Sequence, residues 1–278
     1  MATELLITGE VVRPSDPAYE QARRVWNGMI DRKPAVIARC KTAADVQAAL
    51  TYARANGLNV AVRGGGHNVA GFGTCDGGIV IDLSPMKTVD VDPGKKIARV
   101  GGGVLWREFD AATQAHGLAT TGGLVSTTGV AGFTLGGGIG WLMRAHGLAC
   151  DNFIGAEVVT ADGRVVRVSE TENADLLWGL RGGGGNFGIV TTFEFRLHPI
   201  GPMVMGGATF YPASSAGAVV RFFRQFSESV PDQLSLLLVF TSAPPAPFIP
   251  PHLHGTPVVA IAGCWVGSED EEIGRAHV

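Results

Sequence analysis

The chain has 278 residues, 46% of them hydrophobic and 17% charged, with a net charge of −3. That length suits two domains and that composition excludes a disordered chain, while the weak negative charge offers nothing to nucleic acid or an anionic membrane. The 40 glycines are the anomaly: they are about twice the ordinary ~7% share, and they are clustered.

Asp16-Pro17 reads as a cap with proline at the first helical position, opening a helix through Ala22, Val25 and Met29. Ala35–Arg39 is a short strand. Thr42 caps a second helix with Val46, Ala49, Leu50 and Ala53 on one face, and Gly57 ends it. The strand Val60–Val62 runs straight into Gly64, Gly65, Gly66 and His67. Strands follow at Ile79–Leu83 and Thr88–Val91. Together these elements form a strand–helix–strand subdomain.

A second subdomain starts near Ile97, with strand Ile97–Val100, a turn at Gly101–Gly103 and a helix from Leu105 to His116, stopped by Gly117. Thr120 to Gly140 is so rich in glycine that no regular element is expected there, only extended backbone around a ligand. Ala156–Thr160 and Val165–Val168 make a hairpin through Asp162-Gly163. A helix at Ala174–Leu180 leads to Gly182–Gly185, and Ile189–Leu197 returns as a strand. Beyond Pro202, strands at Val204–Phe210, Leu234–Thr241 and Val258–Cys264 flank a helix near Ser214–Phe226, with a proline-rich loop at 243–251.

Three consecutive glycines gain nothing from side-chain packing and cost backbone entropy. Their use is a backbone whose N–H groups can converge on an anion, a cradle for a pyrophosphate. Four such segments imply one long ligand touched at several points. No Gly-Lys-Ser/Thr follows a loop, and no Gly-x-Gly-x-x-Gly opens a helix in the first strand–helix unit, so an extended dinucleotide such as FAD fits better than a mononucleotide or NAD. Cys40, Cys75, Cys150 and Cys264 lack metal-ligand spacing. No signal peptide or run of ~20 apolar residues is visible. The expectation is a cytoplasmic protein with reduced thiols, without metal, nucleic-acid or membrane partner.

Arg63-Gly-Gly-Gly-His-Asn68, Val125-Ser-Thr-Thr-Gly-Val-Ala-Gly132 with Leu135-Gly-Gly-Gly-Ile-Gly140, and Gly184-Gly-Asn-Phe-Gly-Ile-Val190 together resemble the berberine-bridge-enzyme-like FAD-linked oxidases. These belong to the vanillyl-alcohol oxidase/para-cresol methylhydroxylase superfamily. The resemblance runs in order from about Ala35 to Pro199. It implies an α+β fold. A two-subdomain FAD-binding domain would cover residues 1–200, with subdomains of about 1–92 and 93–200, and an antiparallel-sheet substrate domain would begin over 201–278. It implies a flavoprotein oxidase that passes hydride from a substrate C–H (sugar, alcohol or natural product) to flavin and on to molecular oxygen.

Residue by residue, the resemblance implies that Arg63, Gly64, Gly65, Gly66, His67, Asn68 and Gly71 hold the FAD pyrophosphate. His67 would carry the covalent 8α-histidyl link. Thr127, Thr128, Gly129, Gly132, Gly136, Gly137, Gly138 and Gly140 would line the flavin, and Asn186, Gly188, Ile189 and Val190 would close over the cofactor through main-chain contacts. Thr128 stands where the family places a small gating residue for oxygen. Bicovalent members carry cysteine at the position of Val125, so a single link is expected. Phe133 stands where plant members often carry histidine.

His116, His146, His198, His252 and His254 read as structural or exposed, Trp141 and Phe187 as packing, and Arg144 and Asp151 as surface groups. The alternatives are a non-covalent flavoreductase and a non-catalytic FAD-binding fragment. Glu272-Ile-Gly-Arg-Ala-His-Val278 matches a translated sequencing adapter, so the substrate domain is expected to be cut short. The general base is then expected in the missing part.

Overall fold

The structure, a computed structural model, describes residues 4–267; the adapter-like stretch 272–278 lies outside them. The chain divides into two units, one running to Gly140 and including His146–Pro199, the other combining Trp141–Ala145 with the chain from Ile200 on.

In chain order the elements are β1 (Glu10–Val12), α1 (Tyr19–Ala22), β2 (Val36–Arg39), α2 (Ala43–Ala55), β3 (Val60–Arg63) and β4 (Ile79–Asp82). There follow β5 (Val89–Asp92), β6 (Ile97–Gly101), α3 (Trp106–Gln114), β7 (Leu118–Ala119), α4 (Val130–Leu135) and α5 (Met143–His146). Then come β8 (Phe153–Val159), β9 (Val165–Ser169), α6 (Ala174–Leu180), β10 (Ile189–Arg196) and β11 (His198–Pro199). The last are β12 (Met205–Pro212), α7 (Ala216–Ser229), β13 (Leu234–Ser242) and β14 (Pro257–Trp265).

The first unit holds two principal sheets. One has the order β1-β2-β4-β3, in which β4 runs parallel to both β2 and β3. Its central strand Ile79-Val-Ile-Asp82 is buried at every position, as a strand covered on both faces must be. The α2 crossover forms because Thr42 accepts from the Asp45 amide while the Asp45 carboxylate accepts from the Thr42 amide, a reciprocal cap. Val46, Ala49 and Ala53 then face the core at helical spacing. The other sheet has the order β5-β6-β10-β8-β9 and is antiparallel throughout. Trp106, Phe109, Phe153, Phe193 and Phe195 fill its core. Val159 and Ile189, at the ends of β8 and β10, join the core cluster of the first sheet. In the second unit β14 is the centre of a β12-β14-β13 antiparallel sheet, and α7 buries Val219.

The mixed helix-and-antiparallel-sheet architecture is α+β, as expected. Three local expectations change. The helix expected from Asp16 to Met29 is only the single turn of α1: the Asp16 carboxylate accepts from the Arg13 amide instead of capping. The chain beyond Ala22 continues as an irregular strap, with a turn in which the Ile30 amide donates to the Asn27 carbonyl, and its polar groups bond a neighbouring loop. The glycine-dense stretch 120–140 does contain a helix. In α4, Val130, Ala131, Thr134 and Leu135 are buried on one face, with Gly129 and Gly136 at its ends. Burial of that face outweighs the roughly 1 kcal/mol cost of Gly132 in its interior. Finally β5, read with the first subdomain, pairs with β6 in the second sheet.

Candidate active site

The site is built at the end of β3. Arg63 and Asp82 are register partners closing β3 and β4, and their side chains meet at 2.8 Å, both buried. Arg63 also donates to the Arg24 carbonyl at 3.4 Å. The Arg63 guanidinium is thus committed to protein groups and anchors the base of the loop. Beyond it the amides of Gly64, Gly65, Gly66, His67 and Asn68 donate to no acceptor among the described residues. A row of undonated N–H groups on a loop that lines a cleft is a candidate cradle for a diphosphate.

The glycines also have a packing reason, contrary to the expectation that packing gives them none. A methyl group on Gly64 would lie 2.9 Å from the Gly102 carbonyl oxygen, and one on Gly65 only 2.3 Å from the Gly129 amide nitrogen. Gly102 in turn donates to the Thr191 carbonyl at 2.9 Å, and its own absent side chain would meet the Val190 carbonyl oxygen at 2.7 Å. Glycine-rich segments distant in sequence therefore converge by backbone-to-backbone contact.

A cleft of about 290 Å³ opens beside the loop, lined by Gly64–His67, Asn68, Thr128, Gly129, Gly132 and Phe133. Gly132 looks into open space: among the described residues no atom beyond its own stretch of helix lies within 4 Å of a side chain built there. His67 stands in this cleft. Its Nε2 lies 3.1 Å from the Thr127 hydroxyl and its Nδ1 3.5 Å from the Thr128 hydroxyl. The turn carrying both threonines is fixed to the start of α3, because Trp106 and Arg107 donate to the Thr128 and Ser126 carbonyls at 3.0 Å. Partial burial holds the His67 imidazole below its usual range, so the ring is neutral near pH 7.

Not every expected residue reaches this cleft. Gly71 packs against Ile30. Gly138 is enclosed by Ala149 and Phe133, and Gly140 by the Gly122 carbonyl. Gly136 and Gly137 close the end of α4, where Gly137 donates back to the Thr134 carbonyl. Asn186 bonds the Gly183 carbonyl within its own turn. Gly188 is pressed against Val158 and Val159, and the Ile189 and Val190 side chains are core. The Val190 main chain is what Gly102 meets. Val125 is exposed in the turn before Thr127.

Sequence reasoning missed the strap and Gly102. Trp26 stacks on His67 with ring centroids 5.1 Å apart and planes at 20°. The Trp26 amide donates to the Gly66 carbonyl at 3.1 Å, Asn27 donates to the Val69 carbonyl at 2.8 Å, and Arg32 to the Gly71 and Thr74 carbonyls at 3.0 and 2.9 Å. The available signal was the turn-prone Asn27-Gly28 pair, which interrupts a segment whose apolar spacing (Ala22, Val25, Trp26, Met29) otherwise reads as a helix. On the other side of the loop, Arg24, Arg39, Arg63, Trp26 and Gly64–Gly66 line a second cavity of about 380 Å³. Among the described residues no group of three or more His, Cys, Asp or Glu could hold a metal, and no helix is long and apolar enough to cross a membrane.

Residues 34–169 match a family described as the FAD binding domain. The chain is 41% identical over 216 residues to (R)-6-hydroxynicotine oxidase of Paenarthrobacter nicotinovorans, across 77% of this chain and 47% of that protein. Among solved structures, 6-hydroxy-D-nicotine oxidase from Arthrobacter nicotinovorans superimposes with a TM-score of 0.89 at 35% identity, covering 100% of this chain and 60% of that one. The BBE-like 1 protein of Physcomitrella patens superimposes with a TM-score of 0.85 at 28% identity, covering 96% and 56%. The chain spans about half the length of the curated relatives it matches.

Proposed function

Because the chain belongs to the vanillyl-alcohol oxidase/para-cresol methylhydroxylase family of FAD-linked oxidoreductases, we propose that it holds FAD on the 63–68 loop, linked once through His67. The reaction it serves is oxidation of a small-molecule C–H bond with molecular oxygen as final acceptor. One observation carries this reading: the His67 imidazole stands in the same cleft as the loop of undonated amides. Bound flavin supplies hydride acceptance and electron transfer to oxygen; the protein supplies binding, orientation and electrostatics.

The residues present fit that group. The amides of Gly64–Asn68 offer donors to a diphosphate, and Gly132 leaves room where a side chain would stand. His67 in its neutral form offers a nitrogen lone pair, which an imidazolium lacks. Val125 has no nucleophile, which supports a single link. Thr128, half-buried beside His67, keeps the role of oxygen gate. The substrate class is that of the relatives, small molecules such as 6-hydroxynicotine. The proposed setting is the cytoplasm, where the thiols of Cys40, Cys75 and Cys150 stay reduced.

The test is acid precipitation of the FAD-loaded chain followed by peptide mapping. A yellow pellet and one flavin adduct on the His67 peptide are expected, and His67→Ala should release its flavin to the supernatant. Yellow supernatant from the unaltered chain would establish a non-covalent flavoprotein. No colour would remove FAD binding from the reading, and an adduct elsewhere would remove His67.

A further inference from the structure

We propose that the Arg24–Arg32 strap sets the orientation of the His67 imidazole, with Trp26 as the positioning residue that holds it for flavin attachment. The inference rests on the reading of His67 as the attachment residue. Trp26 is 63% exposed, so burial of its own surface does not explain its place. Its backbone is tied to the loop at Gly66, one residue before His67, and its ring lies nearly parallel over the imidazole. On either side the strap is fixed to the same loop, at Arg24 with Arg63 and at Asn27 with Val69. It is fixed again at Arg32 with Gly71 and Thr74. The strap is therefore hydrogen-bonded to the loop along its length, and Trp26 is the side chain that reaches the imidazole.

The contacts around His67 are unequal. Trp26 covers a face, the Thr127 hydroxyl sits 3.1 Å from Nε2, and the Thr128 hydroxyl lies at 3.5 Å from Nδ1. Nδ1 is the less engaged nitrogen. A ring held on its face and at one nitrogen has lost most of its rotational freedom before the cofactor arrives, and that loss is what an attachment reaction gains from a preformed site. In attachment His67 gives up its N–H proton and gains a C–N bond to the ring-methyl carbon of the flavin. That carbon loses a proton and an electron pair, and molecular oxygen takes up both protons and the pair as hydrogen peroxide.

The experiment follows covalent incorporation of FAD in air by intact mass, for the unaltered chain and for Trp26→Phe, Trp26→Leu and Trp26→Ala. Nitrogen-15 NMR of the histidines, in the FAD-free chain, gives the His67 tautomer and titration midpoint. One aromatic pair corresponds to about a two- to twelvefold effect. Trp26→Ala and Trp26→Leu should slow incorporation by that factor and move the His67 midpoint up toward its ordinary value, while Trp26→Phe should retain both properties. Equal incorporation rates in all variants, or Phe behaving like Ala, overturn the proposal and leave the attachment reading intact. If the unaltered chain carries no covalent flavin, the attachment reading fails. The NMR arm then decides the positioning alone: an unchanged His67 tautomer and midpoint in Trp26→Leu overturn it. Should Trp26→Ala fail to fold, the Leu and Phe variants carry the comparison.

Discussion

Gly65 and Gly129 occupy each other's side-chain space. A methyl group on Gly65 would stand 2.3 Å from the Gly129 amide nitrogen, and one on Gly129 would stand 2.4 Å from that of Gly65. The contact locks the loop bearing His67 to the turn bearing Thr127 and Thr128, which is why the imidazole and the hydroxyls meet. Gly65→Ala and Gly129→Ala must each push backbone from backbone, with no flexible side chain to absorb the clash. Each should lose about 1–3 kcal/mol in urea denaturation. An unshifted midpoint in both would mean that the two segments do not touch.

Gly132 is the opposite case. It lies inside α4 with nothing near its missing side chain, so Gly132→Ala should stabilise the FAD-free chain by up to ~1 kcal/mol. The same methyl group stands in the cleft and should weaken FAD retention. Thermal melts of the FAD-free chain, paired with an FAD titration, separate the two effects; unchanged affinity would take Gly132 out of the site.

Arg63 and Asp82 form a buried ion pair at the base of the loop, each side chain less than a tenth exposed. Asp82→Ala leaves the guanidinium in the interior without its counter-charge. Uncompensated charges of this kind cost about 3–5 kcal/mol, enough to take up much of the stability of an ordinary domain. Chemical denaturation of this variant should show the largest single loss among those named here.

The stacked rings of His146 and His198, 3.9 Å apart, give the first unit an acid sensitivity. Burial, then the nearby charges of His146, Arg196 and Lys96, push His198 from 6.5 down to about 4, and burial lowers His146 as well. The unfolded chain therefore takes up protons that the folded chain refuses. Stability is unaffected well above pH 6.5, falls as pH drops through the window from about 6.5 to about 4, and for His198 levels off below it. Melting temperature against pH should show this slope, and His198→Phe, which keeps a ring for the stack, should flatten it.

The sequence by itself determined most of the regular elements, α1 and α4 excepted, and the chemistry to look for. Strands such as Ile79–Asp82 and the helix Ala43–Ala55 were legible because a short apolar run, and helical apolar spacing behind a capping Thr42, are local signals. The glycine loops and His67 were legible because clustered glycines and one reactive side chain form a short, contiguous pattern. Tertiary structure alone decided which glycines border open space in the cleft and which face protein. Gly132 looks into the cleft while Gly138 and Gly140 are enclosed by Phe133, Ala149 and Gly122, and no feature of the sequence separates them. It also decided that residues 23–33 are a strap and not a helix. The hydrogen bonds that hold the irregular chain there go to residues about 40 positions away, beyond the reach of any periodicity. The Trp26–His67 stack arises the same way: two rings 41 positions apart meet because Gly66 accepts the Trp26 amide.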